Sequence, residues 1–330
     1  MEAPPPATSS TVCVTGAGGF LASWLVKLLL SKDHYVINGT VRDLGEGKNA
    51  HLKALENAGE RLRLFKADVL DYGSVAAAIA GCDGVFHVAS PVTSGRPTNP
   101  EVDIIATAVT GTLNVLRASH EAKVKRVVVL SVFNNPNWPT GEPFNEDSWS
   151  DEETCRKNER EAFEYAAKTG MDIVTICPAL IMGPLMQPTV PTSIEVFFHI
   201  IKVLDSRPSC PKPGSAPVSN AGDNETVGNR LETLLDVRDV ADALLLVYEN
   251  SGGSERDICS STPRKLSDII NTSKSLYPAF NYPQKFVEVD EEQNTRFSSE
   301  KLEKLGWTFR PMEETLRDSF ESYIGLGILT

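Results

Sequence analysis

The sequence has no excess of basic residues. Its 330 residues include 32 Lys and Arg against 44 Asp and Glu, which gives a formal net charge of −12. Proteins that bind nucleic acid or an anionic membrane surface need a basic face. The charge balance therefore disfavours both kinds of partner, although it is compatible with a local basic pocket for a phosphate group.

The sequence also lacks the cysteine and histidine motifs of a metal or redox site. None of the six Cys forms a C-x-x-C pair, and neither they nor the five His show the spacing of metal ligands. Scattered cysteines beside apolar runs are typical of small buried hydrophobes in a reducing compartment. We therefore expect no metal site, and reduced thiols at Cys13, Cys82, Cys155, Cys177, Cys210 and Cys259.

Long hydrophobic runs are absent as well. The apolar stretches fall far short of the about 20 residues that span a bilayer. The first ten residues, MEAPPPATSS, have neither the cationic nor the apolar region of a signal peptide. We predict that residues 1–10 form a disordered leader and that the protein is cytoplasmic.

Predicted strands and helices alternate over residues 11–178. Short apolar runs such as TVCVTG and GVFHVAS alternate with helical patterns such as FLASWLVKLLLSK. This order is typical of an α/β fold, a Rossmann-type doubly wound parallel sheet. We predict a small C-terminal substrate lobe over 179–330, with residues 230–250 packing back on the Rossmann domain. Residues 204–228, rich in Pro, Gly, Ser and Asn, are predicted to form a disordered insertion.

The segment VTGAGGFLA, residues 14–22, joins the first predicted strand to the first helix. Its glycines suit a tight turn where backbone approaches a pyrophosphate, and the final Ala allows close packing of helix on strand. The phosphates would lie at a helix N-terminus, where free N–H groups and the helix dipole favour anions. Because the turn opens a βαβ unit, we predict a dinucleotide site formed by Gly16, Gly18, Gly19, Phe20 and Leu21.

The end of the second predicted strand, GTVRD, indicates which dinucleotide is bound. An acidic side chain there would hold the ribose 2′-OH of NAD, whereas cations suit the 2′-phosphate of NADP. Arg42 and Lys48 favour NADP(H), and the alternative is a solvated Arg42 beside Asp43. Further cofactor contacts are predicted after strands three and four, from Asp68 and Val69 at the adenine and from Ala89, Ser90 and Pro91.

Eight segments in chain order resemble the plant cinnamoyl-CoA reductase and dihydroflavonol reductase family: VCVTGAGGFLASWLVKLLL, ADVLDYGSV, GVFHVASPV, GTLNVLRAS, KRVVVLS, CPALIMGPL, DVRDVADALLLVYE and SSEKLEKLGW. The members are extended short-chain dehydrogenases/reductases. The resemblance implies NADP(H) binding and hydride transfer to a phenylpropanoid acyl-CoA, a flavonoid or a related carbonyl. It also implies a catalytic Ser and a Tyr-x-x-x-Lys motif. The Tyr exchanges the proton, the Lys lowers its pKa and binds the nicotinamide ribose, and the Ser polarises the substrate oxygen.

The resemblance extends to groups that would contact the substrate. His199 and Lys202, at helical spacing, and Arg256 resemble the cations that hold the CoA phosphate in cinnamoyl-CoA reductases. The alternative is a polar helix face and an unrelated surface Arg. Pro178 would bound the nicotinamide pocket. His87, inside the fourth strand, is predicted to be a packed core residue.

The chain departs from the family at the catalytic motif. None of its seven Tyr is followed by Lys four residues later, and the nearest pair, Tyr165 and Lys168, is three apart. Because this pair lies just before the sixth strand, we predict that it lies at the edge of the sheet opposite the site, with Tyr165 packed and Lys168 solvated. After the fifth strand, where the family has two Ser, the chain reads LSVFNNPNW and leaves Ser131 as the catalytic candidate. The alternative is that Ser131 matches the non-catalytic Ser of that pair.

Three interpretations follow from this departure. The first is an NADP(H)-dependent reductase in which residues from elsewhere replace the Tyr and Lys. The second is a non-catalytic NADP(H)-binding homologue, or a truncated splice product, that dimerises with an intact relative. The third is a poorly folded product without a role. NADPH binding without turnover would separate the second from the first, and a cooperative thermal transition would separate both from the third.

Overall fold

The computed structural model describes residues 9–89, 106–131, 144–146, 156–200, 226–250, 256–290, 294 and 296–329. Its strands are β1 Ser10–Val14, β2 Tyr35–Val41, β3 Leu62–Lys66, β4 Gly84–His87, β5 Arg126–Leu130, β6 Asp172–Pro178, β7 Leu180–Met182, β8 Thr226–Gly228, β9 Leu231–Glu232, β10 Leu234–Asp236, β11 Arg256–Cys259, β12 Arg264–Lys265 and β13 Lys285–Val287. Its helices are α1 Phe20–Ser31, α2 Glu46–Lys53, α3 Ala58–Arg61, α4 Tyr72–Ile79, α5 Ala106–Glu121, α6 Arg156–Thr169, α7 Thr192–Ile200, α8 Val237–Glu249, α9 Leu266–Leu276, α10 Glu300–Lys304 and α11 Met312–Gly325.

Seven of these strands form one sheet, in the order β11-β6-β5-β4-β1-β2-β3. Every pairing in it is parallel. The strand order reverses between β1 and β4, and ligands of such sheets bind outside the carboxyl ends of the strands at that point. The prediction of a Rossmann-type doubly wound sheet is confirmed.

The two faces of the sheet are covered by different helices. Alternate residues of a strand point to opposite faces. In β1, Val12 and Val14 join the core cluster that contains α1 and α8, whereas Cys13 joins the cluster that contains α4, α5 and α6. Because the central strands are buried on both faces, they read as nearly continuous apolar runs.

The C-terminal lobe packs on the first of these faces. It contains three two-stranded sheets, β7 with β10, β8 with β13 and β9 with β12. Aromatic side chains of its helices form much of the core. The Tyr277 ring stacks on Phe320 with centroids 4.7 Å apart, and Phe198 meets Tyr323 edge to face at 5.1 Å.

Several predicted boundaries need correction. The predicted leader, 1–10, is too long, because β1 begins at Ser10; residues 1–8 lie outside the described part. The predicted insertion, 204–228, also extends too far, since 226–228 form β8 and pair with β13. Its residues up to 225 lie outside the described part. In addition, β11 lies within the range predicted for the lobe yet adds an edge strand to the main sheet.

Arg126 joins the C-terminus of α8 to the sheet. Its Nη1 donates to the carbonyl oxygens of Val247 at 2.9 Å and Tyr248 at 3.2 Å, and also to that of Asn250. Its Nε and Nη2 donate to Asp172 Oδ2 at 2.8 and 2.6 Å. Carbonyls at a helix C-terminus lack intrahelical partners, and a cation there is favourable. This single guanidinium therefore ties α8 to β5 and β6.

The described cysteines are buried, as predicted. Cys13, Cys82 and Cys259 lie in the core, and burial raises the pKa of each thiol. Cys155 and Cys210 lie outside the described residues. Among the described residues, no helix is long and apolar enough to cross a membrane. No group of three His, Cys, Asp or Glu side chains in the same ranges is placed to hold a metal ion.

Candidate functional site

The connection between β1 and α1, residues 15–19, makes a tight turn that we call the phosphate turn. Gly16 has φ +67° and donates its N–H to Thr40 Oγ1 at 3.0 Å, and its carbonyl accepts from Gly19 N–H at 2.8 Å. A Cβ built on Gly16 would lie 3.1 Å from Ala89 Cβ. The turn thus needs glycine both for its backbone conformation and for the close approach of the end of β4.

The N-terminus of α1 points its free amides out of this turn. Gly19 is the N-cap and makes no side-chain cap hydrogen bond, and the first turn of the helix contains no acidic residue. The N–H groups of Phe20 and Leu21 are therefore left for another acceptor. Together with the positive end of the helix dipole, they fit a pyrophosphate.

A buried hydrogen-bonded chain supports the phosphate turn from below. Thr15 Oγ1 accepts from the backbone N–H of Val88 at 3.1 Å and of Ala89 at 3.0 Å. Its own hydrogen is then given to His87 Nδ1 at 3.0 Å, and Nε2–H of the ring donates to Thr112 Oγ1 at 3.2 Å. Burial lowers the pKa of His87 to about 4, so the ring is neutral. The prediction of a packed core His is confirmed.

The end of β2 and the first turn of α2 carry the two predicted cations and one carboxylate. Arg42 and Lys48 are exposed, and Lys48 Nζ lies 3.4 Å from Asp43 Oδ2. Asp43 Oδ1 accepts from Gly45 N–H at 2.9 Å. This backbone hydrogen bond, with Lys48 second, lowers the pKa of Asp43. The carboxylate is thus committed to its own loop, while Arg42 remains exposed beside it.

The end of β3 brings Asp68 and Val69 to the same edge of the sheet. Asp68 is exposed, and its Oδ1 accepts from Leu70 N–H at 2.9 Å. Val69 packs against α5 so closely that a Cβ built on Gly111 would lie 2.9 Å from Val69 Cγ2. Asn114 Nδ2 donates to the Val69 carbonyl oxygen at 3.0 Å. Both predicted adenine contacts are therefore held at the outer end of the site.

Ser131 and Pro178 lie at the carboxyl ends of the neighbouring strands β5 and β6. Ser131 is 7% exposed and donates its N–H to the Ile176 carbonyl oxygen at 2.8 Å. Pro178 ends β6 and is partly buried. The predicted Ser90 and Pro91 lie outside the described residues. The parallel register thus places Ser131 and Pro178 at the same sheet edge as the phosphate turn.

The segment after β7 is held by two distant elements. Tyr323 Oη, fully buried on α11, donates to the Gly183 carbonyl oxygen at 3.0 Å. Trp24 Nε1, on α1, donates to the Pro184 carbonyl oxygen at 2.8 Å. These bonds fix the chain that follows Pro178, where the C-terminal lobe begins.

Of the three predicted phosphate-binding cations, the structure describes the side chain of Arg256. His199 belongs to α7, but its side chain lies outside the description, as does Lys202. Arg256 lies in β11 and is 4% exposed, and its Nη1 donates to the Glu146 carbonyl oxygen at 3.1 Å. The alternative of a surface Arg is therefore wrong, because Arg256 is buried at the edge of the sheet. Its contact with a CoA phosphate stays a prediction.

At the opposite edge of the sheet, Tyr165 packs on the core and Lys168 is exposed. The Tyr165 ring lies against the second core cluster and meets His120, at the end of α5, edge to face at 6.3 Å. Lys168 Nζ is exposed and lies 3.7 Å from Glu164 Oε2. Because the end of α5 leads to the amino end of β5, this pair is remote from the phosphate turn.

Three residues near the turn were missed by the sequence analysis. Ser23 in α1 and His51 in α2 form a hydrogen-bond pair, with 3.0 Å between Oγ and Nε2, and Asn49 in α2 is 3% exposed. The helical spacing of Asn49 and the fully buried Leu52 is a signal that this face of α2 is covered. Nothing in the sequence pairs His51 with Ser23.

Comparisons with known proteins agree with this geometry. A sequence profile of the family described as "NAD dependent epimerase/dehydratase family" matches residues 12–259. Cinnamoyl-CoA reductase 1 of Petunia hybrida is 40% identical over 332 residues, covering 96% of this chain and 92% of that protein. Dihydroflavonol 4-reductase of Zea mays is 35% identical over 333 residues, covering 95% and 87%. The crystal structure of vestitone reductase from alfalfa (Medicago sativa L.) is similar with a TM-score of 0.77 and 27% identity, covering 97% of this chain and 100% of that one.

Proposed function

Because this chain belongs to the NAD dependent epimerase/dehydratase family, among its cinnamoyl-CoA reductase and dihydroflavonol reductase members, we propose that it binds NADP(H) without efficient hydride transfer. The family consists of nicotinamide-dependent proteins. The observation that carries the proposal is the contrast within one site. The phosphate turn has the residues that a dinucleotide needs, whereas no Tyr in the chain has a Lys four residues later.

The preference for NADP(H) is supported by the charges at the end of β2. A 2′-phosphate carries about −1.5 to −2 charges near neutral pH. Arg42 offers a planar fork of donors for it, and Lys48 offers a mobile ammonium. Asp43, which would otherwise hold a ribose 2′-OH, is bonded to Gly45 N–H and paired with Lys48. The pyrophosphate of the same cofactor would be held by the amides of the phosphate turn and of α1.

The loss of turnover follows from the missing acid. A bound nicotinamide dinucleotide supplies the hydride, but the substrate oxygen still needs a proton donor within about 3 Å. Tyr165 is held at the opposite edge of the sheet by the second core cluster and His120. Ser131 has a hydroxyl at the right edge, but a lone Ser can polarise an oxygen without protonating it. A missing general acid costs about 10² to 10⁴ in rate, and lost positioning adds to that.

The second candidate function is the intact activity, reduction of a phenylpropanoid acyl-CoA, a flavonoid or a related carbonyl. It is favoured by Ser131 and Pro178, which remain at the carboxyl ends of neighbouring strands. Under this candidate, His199 and Lys202 bind the CoA phosphate, and an unidentified group replaces the Tyr. Arg256 takes a structural role in both, since it is 4% exposed. For both candidate functions we propose a cytoplasmic location. For the non-catalytic candidate we also propose that the protein dimerises with an intact relative.

The two candidates are separated by one preparation of purified protein. NADPH binding is titrated by the quenching of tryptophan fluorescence, and feruloyl-CoA is then added to the same sample. We expect saturable NADPH binding, with NADPH oxidation at least about 10³-fold slower than for an intact cinnamoyl-CoA reductase assayed alongside. Oxidation within tenfold of that relative would contradict the proposal. Failure to bind NADPH, in a protein that unfolds cooperatively on heating, would contradict the cofactor assignment.

The geometric argument about Tyr165 has its own test. Thr169→Lys gives the chain a formal Tyr-x-x-x-Lys motif on α6. We expect NADPH oxidation with feruloyl-CoA to stay at the level of the unsubstituted chain, because the Tyr165 ring lies beside His120, far from the phosphate turn. Tyr165→Phe, which keeps the packing and removes the hydroxyl, is the matched control. A rise of tenfold or more in Thr169→Lys would show that Tyr165 reaches substrate.

A further inference from the structure

Contacts with the rest of the protein, more than its own sequence, hold helix α2 beside the phosphate turn. The helix has eight residues and no side-chain N-cap bond. A helix this short is marginal in isolation. Leu52 is fully buried and anchors one face, but Lys48 and Lys53 are exposed. The polar contacts of Asn49 and His51 therefore decide how α2 is oriented.

Asn49 fixes the connection between β2 and α2. Its Nδ2 donates to the carbonyl oxygens of Asp43 at 2.6 Å and Gly45 at 3.1 Å. On its other side, a Cβ built on Gly18 would lie 3.4 Å from Asn49 Oδ1. One buried amide therefore holds the loop after β2 and lies beside the phosphate turn.

His51 reaches the phosphate turn through Ser23. Ser23 Oγ lies 2.7 Å from the Gly19 carbonyl oxygen and 3.1 Å from that of Ala17, and both oxygens can only accept. The single hydroxyl hydrogen is thus given to a carbonyl, so His51 Nε2 must donate to Ser23 Oγ, 3.0 Å away. Nδ1 is then the bare nitrogen, and it is buried. Burial also lowers the pKa of His51, which agrees with a neutral ring.

We propose that Asn49 and His51 are positioning residues for the choice between the two cofactors. They hold α2 so that Lys48, together with Arg42, faces the 2′-phosphate of NADP(H). This inference rests on the proposed NADP(H) binding. Lys48 directly precedes Asn49 and lies one helical turn from His51, so a loosened α2 displaces its ammonium. The amides at the N-terminus of α1, which would hold the pyrophosphate of either cofactor, stay in place.

The test compares the Kd of NADPH with that of NADH, measured by fluorescence titration of the full chain. His51→Leu keeps most of the volume and loses the donor to Ser23. We expect its Kd for NADPH to rise about tenfold while that for NADH changes less than about twofold. His51→Gln retains an N–H donor and should return the NADPH Kd to within about twofold of the unsubstituted value. Lys53→Ala, exposed on the same helix, is the control for unspecific effects on α2.

Several outcomes would overturn the inference. Equal weakening of NADPH and NADH binding in His51→Leu would mean that His51 supports the phosphate turn in general. Two dissociation constants that both stay at the unsubstituted values would mean that α2 does not depend on His51. If His51→Leu does not fold, Ser23→Ala removes the acceptor and carries the same expectation for the ratio. A chain that binds both cofactors equally would refute the proposed NADP(H) preference and this inference together. A preference that keeps its full size in His51→Leu would refute this inference alone.

Discussion

Gly16→Val is expected to abolish cofactor binding, with a rise in the Kd for NADPH of at least about 100-fold. Gly16 has φ +67°, and this left-handed conformation costs an L-residue about 1–2 kcal/mol. In addition, the new Cβ would lie 3.1 Å from Ala89 Cβ and 3.2 Å from Ala89 Cα, so the end of β4 must move away from the turn. The amides that would face the pyrophosphate lose their arrangement in consequence. Fluorescence titration with NADPH measures the effect.

Gly81→Val is the matched control for backbone strain. Gly81 also has a positive φ, +74°, but a Cβ there meets nothing within 4 Å. It lies between α4 and β4, at the amino ends of the strands, so its substitution should cost stability while the Kd for NADPH stays within about twofold. Thermal unfolding of both variants separates loss of binding from loss of fold. If Gly16→Val still binds NADPH within fivefold of the unsubstituted chain, the phosphate turn is not the cofactor site.

The main sheet could be predicted from the sequence because its strands are buried on both faces. Strands β1 to β6 read as apolar runs between helical patterns, and that alternation determines a parallel, doubly wound sheet. The seventh strand, β11, could not be predicted in this way. It has four residues, and it begins with Arg256 and Asp257, which are 4% and 0% exposed. Charged residues in a buried strand contradict the local pattern, and only the edge of β6 makes this segment a strand.

The features of the candidate site likewise differ in whether they depend on residues near in sequence or far apart. The phosphate turn was predictable because a positive φ and a close backbone approach both select glycine at Gly16. The partners of His87 and His51 were not predictable, since Thr15 lies 72 residues from His87 and Ser23 lies 28 residues from His51. Hydrogen bonds between residues so far apart in the sequence form only after the sheet has brought their strands and helices together. Sequence patterns therefore locate the phosphate turn, whereas the residues that support it are identified only from the structure.

Acid should destabilise the protein through His87. Burial lowers the pKa of the ring from 6.5 to about 4, whereas the unfolded chain takes up the proton near 6.5. Between pH 6.5 and 4 the unfolded chain binds a proton at His87 and the folded protein does not. The free energy of unfolding is therefore highest above pH 6.5 and falls as the pH drops toward 4. The difference corresponds to a loss of about 3 kcal/mol in the free energy of unfolding. Urea unfolding at a series of pH values between these limits measures it.

His87→Gln isolates this contribution from that of the carboxylates. The Gln side chain can accept from Thr15 and donate to Thr112 but does not titrate. We expect its unfolding free energy to be lower than that of the unsubstituted chain at neutral pH and to fall less steeply below pH 6.5, by about 3 kcal/mol over the range. Thr112→Val removes the acceptor of His87 Nε2 and keeps the ring. Its free energy of unfolding should be lower at neutral pH and should still fall steeply below pH 6.5. Equal slopes for His87→Gln and the unsubstituted chain would mean that His87 is protonated alike in both states, and the neutral chain of hydrogen bonds beneath the phosphate turn would have to be abandoned.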